Sequence, residues 1–314
     1  PINPNKKRER IMSESVKPTH EPVDAASGEQ ASREQASGDN GTHIFRNILV
    51  ALDSSVHSKA ALETAAHMAE RFRSGLKGLF VHEPGWTHRS KLTRSLRIDH
   101  PAGEVKVMAE ETVEMEMQSQ EREVESHFRR VTERRGVPSE WRVEKGAVKE
   151  RMQEAAGEVD LVTMGVSGVS HLKTRKLGST AMAMIEECGK PVMLLQEGLD
   201  LSGDIVAVYD GTPDGLAVVE MGARVAKRHG GTFFVIHFGE AHERELREKL
   251  DDLFADLKVL PRFYQIPERD YGSYLYLLNR MRSGLLIVPK SSRMAKREHL
   301  LRILDAAHCP VMLM

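Results

Sequence analysis

Short, wholly apolar runs alternate along this chain with longer stretches in which apolar residues return every three or four positions. Ile48-Leu49-Val50-Ala51-Leu52 is the first run, and its continuity suits a strand covered on both faces of a parallel sheet. Ala61, Ala65, Met68 and Phe72 follow at helical spacing, and Leu76 to Val81 is a second apolar run. From about Glu104 to Arg135 the spacing is again helical, with Val113, Met117, Val124, Phe128 and Val131 on or near one stripe, until Gly136-Val137-Pro138 stops it. Trp141 and Val143 mark a third strand. Val148, Met152, Ala155, Ala156 and Val159 make a further amphipathic helix, and Leu161 to Met164 a fourth strand. Ala181, Met184, Ile185 and Cys188 share a helix face, and Val192 to Leu195 is a fifth strand. Strict alternation of this kind predicts an α/β domain with a parallel sheet and helices on both faces.

After a short linker at 199–203 the pattern restarts. Ile205 to Asp210 repeats Ile48 to Asp53, and Leu216, Val219, Ala223 and Ala226 repeat the first helix. Thr232 to His237 repeats the second strand, with Ile236-His237 echoing Val81-His82. Val259 to Ile266 and Leu285 to Val288 supply a third and a fourth strand, and Pro310-Val311-Met312-Leu313 repeats Pro191-Val192-Met193-Leu194. This internal duplication predicts two tandem five-stranded domains, at 44–198 and 204–314. Residues 1–43 carry no periodic apolar face and are expected to be a disordered tail. Residues 83–103, with Trp86, Arg89, Lys91, Arg94 and Arg97, read as a long basic loop: a lid, a partner surface or a solvated connection.

Composition narrows the function classes. The formal net charge of −1 gives no support for a large nonspecific nucleic-acid surface. No apolar run approaches the ~20 residues of a bilayer span, so no membrane insertion is expected. Two cysteines, Cys188 and Cys309, cannot make a disulfide framework, which suits a reduced cytoplasmic setting; both read as small buried thiols. HExxH, CxxC and Gly-x-Ser-x-Gly elements are absent, and His82 and His237 share a repeat position that suggests packing or pocket lining.

The chemistry concentrates between the fourth and fifth strands. Gly165 ends a strand, Gly168 follows, and Gly178-Ser179-Thr180 opens a helix. An α/β protein binds phosphate there, beyond the carboxyl end of a parallel strand and at a helix start. Gly165 is expected to allow a sharp turn, and Gly168 and Gly178 a close approach of backbone N–H groups to an anion. Ser179 and Thr180 add hydroxyl donors where the helix dipole favours negative charge. Lys173, Arg175 and Lys176 are either phosphate contacts or a solvated face. Asp53, at the end of the first strand, is placed to accept hydrogen bonds from a base or ribose, or else to cap the following helix. The turn after Leu52 holds no glycine, which argues against a dinucleotide fingerprint or a P-loop.

The spacing Gly165-x2-Gly168-x9-Gly178-Ser179 resembles the ATP-binding signature of the universal stress proteins, as do Val50 to Asp53, Asp160 to Gly165 and Pro191 to Leu195. The resemblance covers residues 45–314 as a tandem pair. It implies an adenine-nucleotide α-hydrolase-like fold in each domain, with strand order 3-2-1-4-5. It implies ATP, with or without magnesium, as the ligand. Adenine and ribose would lie near Ala51, Asp53 and Val81, and the phosphates on Met164, Gly165, Gly168, Gly178, Ser179 and Thr180. The second copy departs from the signature. Pro289 and Ser292 stand opposite Gly165 and Gly168, and Arg297-Glu298-His299 opposite Gly178-Ser179-Thr180. Proline removes a donor and arginine fills space, so no second ATP site of this kind is expected. The expected function is a nucleotide-binding stress regulator acting through a protein partner, a homodimer or a pseudo-dimer of its own two domains. A slow ATPase and a nucleotide-free scaffold are the alternatives; no general base or second-metal carboxylate cluster is placed by motif near the loop.

Overall fold

The computed structural model describes residues 44–83, 96–99, 104–107, 110–166, 177–196, 202–238, 242–267 and 270–314. The tail at 1–43, Trp86, Arg89, Lys91, Arg94, Gly168, Lys173, Arg175, Lys176 and the linker positions 199–201 lie outside them. The first half runs β1 (Asn47–Leu52), α1 (Val56–Phe72), β2 (Gly75–His82), β3 (Leu96–Asp99), β4 (Glu104–Val107), α2 (Glu110–Arg135), β5 (Ser139–Lys145), α3 (Val148–Ala156), β6 (Leu161–Gly165), α4 (Ser179–Glu187) and β7 (Val192–Leu195). The second runs β8 (Asp204–Tyr209), α5 (Pro213–His229), β9 (Phe233–Phe238), α6 (His242–Leu257), β10 (Arg262–Ile266), α7 (Tyr271–Arg280), β11 (Ser283–Val288), a 3-10 turn at Arg293–Ala295, α8 (Arg297–Ala307) and β12 (Val311–Leu313).

Each half places its strands in the expected 3-2-1-4-5 order, but the two sheets are one. The order across the molecule is β10-β9-β8-β11-β12-β7-β6-β1-β2-β5. Within each half neighbouring strands are parallel; at the seam β12 and β7 run antiparallel, with Val311 opposite Leu194, Met312 opposite Met193 and Leu313 opposite Val192. Residues 43–314 accordingly form a single compact unit. The wholly apolar strands are explained by burial on both faces. One face is covered by α1, α2, α5 and α6, whose Leu62, Phe128, Val219 and Leu246 pack with Ile48, Val50 and Ala207. The other is covered by α3, α4, α7 and α8, whose Met152, Ile185, Leu278 and Ile303 pack with Leu49, Val162, Val206 and Leu286. Both apolar layers continue across the seam.

Two local expectations are revised. Leu96–Asp99, in the segment read as a loop, and Glu104–Val107, in the stretch read as the start of a helix, pair as an antiparallel ribbon, and the helix starts at Glu110. Asp53 is not the cap of α1. Ser55 is, its hydroxyl accepting from the Ser58 N–H at 3.1 Å, while Asp53 Oδ1 accepts from the Ser55 N–H at 2.9 Å in an Asx turn one step earlier.

Candidate functional site

β1, β2 and β6 are adjacent and parallel, so their carboxyl ends lie side by side. Strand alternation then decides which side chains share a face. Ala51, Val81 and Val166 are half-buried and pack against the layer that contains Met164 and Leu177. The structure therefore brings Ala51, Val81 and Met164 together above the α3–α4 face, with Asp53 on the next turn of chain. His82 points to the opposite face. Its Nε2 meets Glu121 Oε2 of α2 at 2.5 Å, and its ring sits edge-on to Phe80. The packing reading of that histidine is the one realised.

The loop neck is closed by backbone. Val166 N–H donates to Leu195 O at 3.1 Å, and Gly178 N–H donates to Val166 O at 3.0 Å. Gly178 is the N-cap of α4 and offers no side chain to the first turn, which also holds no acidic residue. Among the described residues, no hydrogen bond reaches the Ser179, Thr180 or Ala181 N–H groups. α1, α5 and α7 are capped by Ser55, Thr212 and Asp270; α3 and α8, like α4, have no side-chain cap, but each carries a glutamate in its first turn. An uncapped helix start carries partial positive charge and unpaired donors, the groups an anion binds. Ser179 is exposed and Thr180 half-buried beside it.

The glycines act through space rather than through unusual dihedrals. Neither Gly165 nor Gly178 has φ in the left-handed region. A Cβ on Gly165 would meet the backbone and Cβ of His57 at 3.4 Å. His57, in the first turn of α1, thus forms part of the wall, and the sequence reading passed over it. A Cβ on Gly178 would meet only Val166 O, at 3.8 Å, among the described residues.

The second half shows what fills the same place when the loop is changed. Lys290 N–H donates to Met314 O at 2.6 Å, the counterpart of the Val166–Leu195 bond, so Pro289 stands at the position of Gly165. Asp210 keeps the Asx role, accepting from Thr212 N–H at 3.2 Å and from its hydroxyl at 2.5 Å. The persistence of this aspartate in both halves therefore has a structural cause of its own. The second half sends side chains across the seam. Lys290 Nζ donates to Cys188 O and to Lys190 O, each at 2.6 Å, and Arg297 donates to Leu177 O at 2.9 Å.

Residues 44–196 match the family model described as Universal stress protein family. The chain belongs to the universal stress protein family. A universal stress protein from Archaeoglobus fulgidus superposes with a TM-score of 0.65 at 18% identity, over 87% of this chain and 96% of its own. A protein of unknown function from Pseudomonas aeruginosa gives 0.55 at 14%, over 88% and 94%. These neighbours share the fold over both halves. No curated protein matches the chain in sequence. Membership of this family makes the chain a stress-response protein. Among the described residues no helix is long and apolar enough to cross a membrane, and no group of three or more His, Cys, Asp or Glu is placed to hold a metal ion. Both cysteines are buried, and burial pushes the Cys309 thiol up to about 12.

Proposed function

We propose that this universal stress protein binds ATP at one site, in the first half, and signals through the contacts that the bound nucleotide alters. The observation that carries the reading is the start of α4. It is an uncapped helix terminus with no acidic residue in its first turn, at the carboxyl end of a parallel strand. Ala51, Val81 and Met164 lie on the same side, apolar enough to cover a base. Asp53 Oδ2 has no partner among the described residues, which suits a ribose hydroxyl donor. In this reading Gly178 keeps clear the space that a triphosphate needs, and Gly165 lets the strand end pass close to His57. Magnesium would arrive with the nucleotide, held mainly by phosphate oxygens, as that ion commonly is.

The test is direct. Nucleotide released from the denatured full chain is identified, and ATP binding by the emptied protein is followed by calorimetry and melting temperature. ATP is expected to bind and to raise the melting temperature. Gly178→Val is expected to weaken binding roughly 10- to 100-fold, the loss of one charge-assisted contact or more, with little change in the melting temperature of the empty protein. Wild-type protein that neither carries nor binds an adenine nucleotide would overturn the reading and favour a nucleotide-free scaffold. Sustained release of phosphate, abolished in Gly178→Val, would add turnover to it.

A further inference from the structure

Lys290 and Arg297 occupy, in the second half, the positions held in the first by Val166 and by the Gly178 end of the loop. Both reach into the first half at α4. Lys290 is half-buried and takes the carbonyls of Cys188 and Lys190 at the helix C-terminus, where a cation is favoured. Arg297 takes the carbonyl of Leu177, the residue just before the helix N-cap. The seam makes this possible. β7 and β12 are short, Val192–Leu195 and Val311–Leu313, so the connections on either side of them come within side-chain reach.

A carbonyl does not neutralise a guanidinium. Arg297 makes no ion pair among the described residues, and its side chain is exposed. Its neighbour Glu298 is turned to solvent and faces His299 at 3.5 Å. Arginine carries five N–H donors in a planar fork, and one bond to Leu177 O leaves donors for a second acceptor. The group is thus a full positive charge anchored one peptide unit from the α4 start, beside N–H groups that carry only partial charge. We propose that Arg297 is a phosphate-contacting residue of the first-half site, supplied by the second half, and that it makes the site selective for nucleotides with more phosphates. This rests on the ATP-binding reading above. It also gives the altered loop of the second half a role: the change that closes one site completes the other.

The experiment measures ATP, ADP, AMP and adenosine affinities of the wild-type full chain, Arg297→Ala, Arg297→Lys and Lys290→Met. Arg297→Ala is expected to weaken ATP and ADP about 10-fold or more, the loss of a charge-assisted contact, while adenosine is unchanged. Arg297→Lys is expected to restore part of the ATP affinity and part of its salt dependence. Lys290→Met, which removes only the hold on the far end of α4, is expected to lower the melting temperature but to keep the ATP-to-adenosine ratio. Equal ATP affinity in Arg297→Ala and wild type overturns the proposal and leaves the ATP site standing. Equal losses for ATP and adenosine also overturn it, because they mark a strut and not a phosphate contact. Absence of adenine-nucleotide binding in the wild type removes the site itself.

Discussion

The two connections that follow the fourth strand of each half begin alike and end differently. In the first half, Gly165 and Gly178 bracket the loop and α4 starts without a cap or an acidic residue. In the second, Pro289 and Arg297 bracket a shorter path that tightens into a 3-10 turn, and α8, likewise without a side-chain cap, carries Glu298 in its first turn. The strands beneath are the same, down to the equivalent bonds from Val166 and Lys290. The difference teaches that the scaffold does not require the glycine loop. A strand, a turn and a helix can be joined there without it, so the glycines of the first half answer to something other than folding. A second corner tells a related story. On the α3 face of β2 and β5, Lys77, Glu140, Arg142 and Glu158 form an ion-pair network. At the matching register in β9 and β10 stand Phe234, Arg262 and Tyr264, an aromatic pair with a guanidinium 6.0 Å from the Phe234 ring. One half holds its outer strand with charge, the other with ring packing.

The comparison can be broken most severely at the seam, which both halves share. Met193 and Met312 face one another there and are fully buried. Met312→Ala is expected to cost about 2–5 kcal/mol, the usual loss for a large side chain removed from a core. Urea unfolding followed by Trp fluorescence and by far-UV circular dichroism should give one coincident transition. Two separated transitions would mean that the halves are independent domains.

Binding stoichiometry is the next most telling quantity. One ATP per chain is expected by calorimetry, and Pro289→Gly with Arg297→Gly should not add a second, because the connection from 290 to 296 stays shorter than that from 166 to 177. Two equivalents in the wild type would end the contrast between the loops.

The smallest effect concerns the charged corner. Hydrogen bonds from Arg142, and then from Lys77, lower the Glu158 carboxyl from 4.5 to about 2. Folding therefore gains from the ionised form. The gain is present above the ordinary carboxylate value of 4.5 and is lost as pH falls from there towards 2. The corner is exposed to solvent and salt, so the contribution is modest. The melting temperature of wild type should exceed that of Glu158→Gln near neutral pH, and the gap should close across that window. Tyr264→Ala in the second half should cost stability without such a pH dependence.

Most of the architecture was legible in the sequence, because burial on both faces writes each strand as a continuous apolar run and the duplication writes it twice. The ribbon at Leu96–Asp99 and Glu104–Val107 was missed although its signal was there. Leu96, Ile98, Val105 and Val107 alternate with charged residues on either side of the sequence His100-Pro101-Ala102-Gly103. The charges drew attention away from the alternation. The seam was not legible, since VMLL and VML specify a buried strand but not its partner. In the site, the sequence grouped Ala51 and Val81 with a base and Met164 with phosphates, whereas the structure packs all three against one layer. Arg297 had been read only as a loss. Its reach to Leu177 depends on the two sheets meeting at β7 and β12, a long-range pairing that no local pattern encodes.

That pairing has a consequence for how the protein behaves at different abundances. Two separate chains joined along an edge strand come apart on dilution, and their state reports their own concentration. Here both partners sit on one polypeptide, at an effective concentration on the order of millimolar or above, so β7 stays covered by β12 however scarce the protein becomes. A cell making a few copies would hold the same paired species as one making many.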